Sequence, residues 1–141
     1  MGLSKSAKSR LRSQTMRIET WAANNLADVA ADLMSGGRVD VLDEDGVRLA
    51  SCAFAEPPFS AAAGGAVRAN PFPPARADAD GVPASFVAFD SEGLAVLSGS
   101  AGYRDEDPAP EMKFRTRVIV KDADVLVESF VFAVIQEKAA A

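Results

Sequence analysis

The segment 125–135, VLVESFVFAVI, constrains this chain more than any other stretch. Val125, Val127, Val131, Ala133 and Ile135 fall on one side of a pleat, and Leu126, Phe130, Phe132 and Val134 fall on the other. A strand that is apolar on both sides has to be covered on both sides. It is either the central strand of a packed β domain or a strand that meets a partner subunit. The preceding arm, residues 112–120, puts Met112, Phe114, Thr116, Val118 and Val120 on a dry face. Lys113, Arg115 and Arg117 lie on a basic one. Residues 121–124 between the arms read as a tight turn, so the last third predicts a hairpin.

Upstream, two more hairpins are expected. Residues 38–43 and 47–54 flank Glu44, Asp45 and Gly46, and Asp-Gly between alternating stretches is a strong hairpin signal. Residues 84–90 and 94–100 flank Ser91, Glu92 and Gly93 in the same way. The acids around 40–46 and 77–81 superficially suggest a calcium loop, but neither has the full ligand series or a closing glutamate, and turn chemistry is the better reading. Residues 99–102, GSAG, have the form of an RNA-binding GxxG loop without the flanking helices, which favours a strand end or bulge.

One helix is predicted, over 18–34. Ile18, Trp21, Ala22, Leu26, Val29, Ala30 and Leu33 recur at three- and four-residue steps opposite Asn24, Asn25, Asp28 and Asp32. Trp21 on that stripe is expected to pack in the core or at an interface. The Ser35-Gly36-Gly37 sequence supplies the stop. Between 55 and 83, prolines and glycines interrupt any regular pattern except a short extended piece near 66–69, so this is a long loop region, and its Pro57, Pro58, Phe59 and Phe72 are candidate contact residues.

Chemistry is constrained by what is missing. The chain has no histidine and a single cysteine, Cys52, which removes the histidine-dependent nucleophile systems, the commonest zinc sites and any intramolecular disulfide. No lysine follows a serine by three positions, so a Ser-Lys system is also absent. Asp105, Glu106 and Asp107 could in principle serve as paired carboxylates, but adjacent acids in a loop read as solvation. No catalytic, cofactor-binding or metal-ligating residues are expected.

Charge is placed unevenly. Residues 1–17 carry Lys5, Lys8, Arg10, Arg12 and Arg17 and no acid, while the whole chain has a formal net charge of −5. A basic arm ahead of an acidic body is either a solvated tail or a segment that docks on something negative. Nucleic acid is the weakest of those choices, because no aromatic side chain interleaves the charges. The expected organisation is an arm over 1–17 and one domain over 18–141. No apolar run is long enough to span a bilayer, and the basic start lacks the apolar core of a signal peptide, so a cytoplasmic site of synthesis is expected and no membrane partner.

The order of pieces resembles a family of small virion proteins of tailed bacteriophages. The resemblance is carried by Leu11-Arg12 to Ile18, by Gly37 to Val41, by residues 58–65 with Ala69-Asn70, by Asp80-Gly81 through Phe86, by 90–93 and 97–100, and by residues 127–130. It departs from that family at 121–124, where a glycine is expected. The resemblance implies a jelly-roll-like antiparallel β-sandwich with one N-terminal helix, without enzymatic activity. It further implies a capsid cement or decoration protein on the major capsid protein lattice of the virion, made in the host bacterial cytoplasm, with copies paired as a homodimer or higher homo-oligomer. The arm residues Lys5, Lys8, Arg10, Arg12 and Arg17, the loop residues named above, and Arg115 and Arg117 would then meet the partner. The alternative is a receptor- or carbohydrate-binding sandwich module of a tail fibre or spike.

Overall fold

The computed structural model describes residues 17–134. A helix α1 (Thr20–Leu33) is followed by β1 (Arg38–Leu42), β2 (Arg48–Ala53), β3 (Ala66–Arg68), β4 (Ser85–Phe89), β5 (Ala95–Tyr103), β6 (Met112–Phe114) and β7 (Val127–Ala133). The strands form one seven-stranded sheet in the order β2-β1-β4-β5-β6-β7-β3. The protein is mainly β with a leading helix, as its sequence predicts. The sheet is mixed where an antiparallel one was expected, because β5 and β6 run parallel, with Ala101 opposite Met112 and Tyr103 opposite Phe114. Parallel neighbours ordinarily need a long crossover. Here β6 is only three residues long, so the 104–111 loop has little distance to retrace.

The two upstream hairpins share one turn chemistry. The Asp43 carboxylate accepts from the amides of Asp45 and Val47, both at 2.9 Å, and the Asp90 carboxylate accepts from Glu92 and Leu94 at the same distance. In each turn a glycine, Gly46 or Gly93, takes the positive φ that closes it (82° and 83°). Three of the acids that superficially suggested calcium have partners in the fold: Asp43 in its own turn, Asp78 with Arg48 at 3.2 Å, and Asp80 with the Lys121 amide at 2.6 Å.

The core shows that the sheet is curled. Strands β4 and β7 stand three places apart, which in a flat sheet means roughly 14 Å. Yet the rings of Phe86 on β4 and Phe130 on β7 have centroids 4.8 Å apart. Phe54, just past β2 at the far end of the sheet, also reaches Phe130, at 6.5 Å. The sheet must bend until its two ends approach. Loop hydrogen bonds tie the bend. The Leu49 carbonyl on β2 accepts from the amides of Asp78 and Ala79, and that segment pairs with the run leading into β7 through Ala77 to Ala123 and Val125 to Ala75.

The closing hairpin differs from the sequence reading. β6 ends at Phe114, the Arg115 amide still donates to the Leu126 carbonyl at 2.9 Å, residues 116–118 leave the ladder, and Ile119 bridges to Gly81. That excursion reverses the alternation. Ile119 is buried, whereas Val118 and Val120, expected on the dry face, are exposed. The two strands are thus joined by residues 115–126, and the turn expected at 121–124 closes inside that connection, where the Ala123 amide donates to the Val120 carbonyl at 3.0 Å and Asp122 takes a φ of 67°. β7 is an interior strand between β6 and β3, but only Phe130 along it is fully enclosed. The GSAG segment lies inside β5.

The helix packs on its small residues and leaves the larger apolar ones outside. Ala23, Ala27, Ala31 and the following Met34 face inward, while Trp21, Leu26, Val29 and Leu33 lie outside. Two polar clips set this rotation. Asn24 Oδ1 accepts from the Gly65 amide at 2.7 Å, and Asp28 Oδ1 accepts from the Ala62 amide at 2.9 Å. With both clips made, the stripe beneath has to be small, because the helix lies close on β3 and its loop. Beyond the helix, a Cβ on Gly37 would lie 1.9 Å from the Phe89 carbonyl oxygen, so only glycine admits this approach of the chain to β4.

Two consequences can be measured. Phe130→Ala should cost about 3–5 kcal/mol in urea unfolding, since it empties the centre of the aromatic cluster; a loss below about 1 kcal/mol would contradict the curl described. Burial, with smaller contributions from Asp40 and Asp78, pushes the Cys52 thiol from 9.0 up to about 11. Below pH 9 both folded and unfolded thiols keep their proton, and between pH 9 and 11 the unfolded thiol ionises first. Wild type should therefore lose roughly 2–3 kcal/mol more than Cys52→Ala as pH rises through that window.

Candidate functional site

A groove lies beside β7. After β3, the chain stays on β7 as far as Ala69, whose amide donates to the Phe130 carbonyl at 2.8 Å. It returns at Ala75, whose carbonyl accepts from Val125 at 2.9 Å. Between those bonds lies Asn70-Pro71-Phe72-Pro73-Pro74. Three of its five residues have no N–H to offer a ladder, so this stretch arches off the strand. The hollow beneath has a volume of about 280 Å³ and is lined by Ser60, Arg68, Asn70, Phe72, Arg115, Val127, Glu128, Ser129 and Phe130, among others. A second hollow of about 200 Å³ shares Pro71, Phe72, Arg115 and Val127 and extends the groove toward Leu126.

The other wall is shaped by an irregularity in β6–β7. Lys113 pairs with Ser129 and Phe114 with Val127, which leaves Glu128 as the extra residue of a bulge. Its carboxylate accepts from Arg115 Nε at 2.9 Å and lies 3.8 Å from Arg104. Arg104 also approaches Asp105 at 3.7 Å. Its guanidinium is held above its ordinary value, first by the Tyr103 side-chain hydrogen bond and then by the charges of Tyr103, Asp105 and Glu128. Arg117 stacks over the Tyr103 ring, 4.3 Å from its centroid. No carboxylate pairs with Arg68 among the described residues. The result is a basic strip on an otherwise acidic body.

The structure brings some of the contact residues expected from sequence together and separates others. Phe72 and Arg115 line the same groove, and Arg117 lies further along the strip. Pro57 is exposed, whereas Pro58 and Phe59 are buried: Phe59 packs among Phe54, Phe130 and Phe132. Pro57, Pro58 and Phe59 also border a cleft of about 270 Å³ against Asp28 and Asp32 of the helix. Arg17 is exposed at the start of the described chain, and Lys5, Lys8, Arg10 and Arg12 lie outside it.

Arg68, Asn70, Tyr103, Arg104 and Glu128 were not among the contact residues expected from the sequence. The one available signal was the proline spacing at 71, 73 and 74, which announces a break in any ladder. What lies across that break depends on the register of β7, which no local pattern encodes. The chain matches no family model, no curated protein and no solved structure.

The charge pairs of this strip are exposed, so their worth to folding is small. Glu128→Ala should change stability by no more than about 1 kcal/mol in chemical denaturation. A drop above about 2 kcal/mol would mean that the carboxylate holds the bulge itself.

Proposed function

We propose that this chain is a non-enzymatic virion structural protein, a capsid cement or decoration protein that seats on the major capsid protein lattice and pairs with copies of itself. The observation that carries a contact role is the outward face of α1. Trp21 is 71% exposed, Leu26 51%, Val29 58% and Leu33 55%, all on a 14-residue helix whose alanine stripe already anchors it. Large apolar side chains grouped on one face mark a surface that a partner covers. Ala22, Leu26, Val29 and Leu33 follow the four-three-four spacing of a helix–helix seam. A second apolar area supports the same reading. The Gly81 to Ile119 bridge sets exposed Val82 opposite exposed Val118, with Val120 beyond.

The virion assignment itself rests on the resemblance of the turn and core positions to small phage virion proteins. A lattice protein gains its affinity from many modest contacts repeated over a surface, which suits two apolar areas and a basic arm better than one deep pocket. Within this reading we take the curled sheet as a jelly-roll-like sandwich, supported by the meeting of Phe86 and Phe130 across it. The alternative, a receptor- or carbohydrate-binding module of a fibre or spike, gains support from one feature: exposed Trp21 lies one helical turn from exposed Asn25, an aromatic and an amide such as sugar sites use.

The test is particle occupancy. Leu26→Glu with Leu33→Glu leaves the buried stripe intact, so the domain should fold with an unchanged unfolding midpoint. Its copy number on purified capsids should fall at least tenfold, and its self-association in sedimentation should weaken. Full occupancy of the double variant would remove the helix face from the account. A wild-type count of only a few copies per particle would favour the fibre module.

A further inference from the structure

We propose that the groove under the 70–74 arch binds an extended acidic peptide segment of a partner protein, with its carboxylates on Arg68 and Arg115 and an intervening apolar side chain against Phe72. Charge complementarity carries the argument. Arg68 has no acidic partner among the described residues, although it lines the hollow beside Arg115. Arg115 already shows the geometry required, since its Nε holds the Glu128 carboxylate at 2.9 Å, and a guanidinium has further N–H groups to offer a second one. Beyond the groove Arg117 adds a further positive side chain over Tyr103, whereas Arg104 is shared between Glu128 and Asp105, so an acidic chain is favoured on the Arg68, Arg115 and Arg117 side.

The shape selects an extended segment over a small metabolite. At about 280 Å³ the hollow is at or below the size of cavities that engulf small ligands, and Ser60, Arg68 and Arg115 around it are exposed. The proline arch makes no backbone bond to residues 126–129, and the hollows beneath it are lined by Pro71, Phe72, Arg115 and residues of the 125–130 run. Phe72 and Val127 give the groove an apolar lining that it shares with the two arginines. Nucleic acid, the other polyanion, is disfavoured because Arg117 covers a face of the strip's one tyrosine, Tyr103, leaving it poorly placed to stack on bases.

This inference stands apart from the virion reading, which rests on the resemblance and whose contact role the helix face carries. The probe is a short fluorescein-labelled peptide of glutamates flanking one leucine, titrated with the full-length protein and followed by anisotropy at low ionic strength. Binding is expected, weakening as salt rises, and absent for the same peptide with glutamines in place of glutamates. Arg68→Gln, on an exposed strand position that should not affect folding, is expected to weaken binding at least tenfold, with Arg68→Lys recovering part of it. Phe72→Ala should weaken the leucine peptide more than an all-glutamate one. Equal binding by Arg68→Gln and wild type would overturn the proposal. So would no binding, or a single-stranded oligonucleotide that binds more tightly than the peptide and is equally sensitive to Arg68.

Discussion

Phe130 is where the separate parts of this fold meet. Its ring touches Phe86 from β4, Phe59 from the loop before β3, and Phe54 from the end of β2. Phe59 in turn meets Phe132, and Phe54 meets Phe72. Six of the chain's eight phenylalanines therefore form one connected cluster. Each such pair is worth about 0.5–1.5 kcal/mol beyond simple burial. The greater consequence is geometric: strands distant in the sheet order cannot share a ring unless the sheet curls around it.

The surface follows from that curl. Because β7 is held inward by Phe130, the chain passing along its edge must either pair with it or arch away. The prolines at 71, 73 and 74 force the arch. The same strand carries a bulge at Glu128, which turns a carboxylate toward Arg115 and Arg104. A groove with a basic rim thus arises where two backbone irregularities face each other across one strand. The helix is set on the other side of β3 by Asn24 and Asp28, and its larger apolar residues are left outside. Both surfaces are made by the way the core positions its edges.

Much of the local structure could be read from residues alone. The turn signals at 44–46 and 91–93 predicted both hairpins, and in the fold each turn closes locally on an aspartate, Asp43 or Asp90, that accepts two amides and on a glycine at positive φ, which need nothing from the rest of the chain. The helix was legible for the same reason, and so was its stop at Ser35 to Gly37. Which side of the helix faces in was not. Its strongest apolar stripe faces water, because the small stripe of Ala23, Ala27 and Ala31 is what fits against β3 at close range. Arg115 and Phe72 were legible as contact candidates, while Arg68 and Glu128 were not, since their roles depend on a register and a bulge.

By itself, then, the sequence determined the elements whose causes are local: a mainly β chain led by one helix, two aspartate-closed hairpins, a proline-broken middle and a polypeptide without histidine chemistry. The tertiary structure decided everything that depends on residues far apart meeting. It closed the sheet around Phe130, made β5 and β6 parallel, buried Ile119 in place of Val118 and Val120, and brought Arg68 to Arg115. The physical reason is that turns and helices are specified by neighbours within a few residues. Curl, register and the exposed side of an amphipathic element are set by packing across the whole domain, where one ring between two strands outweighs any local preference.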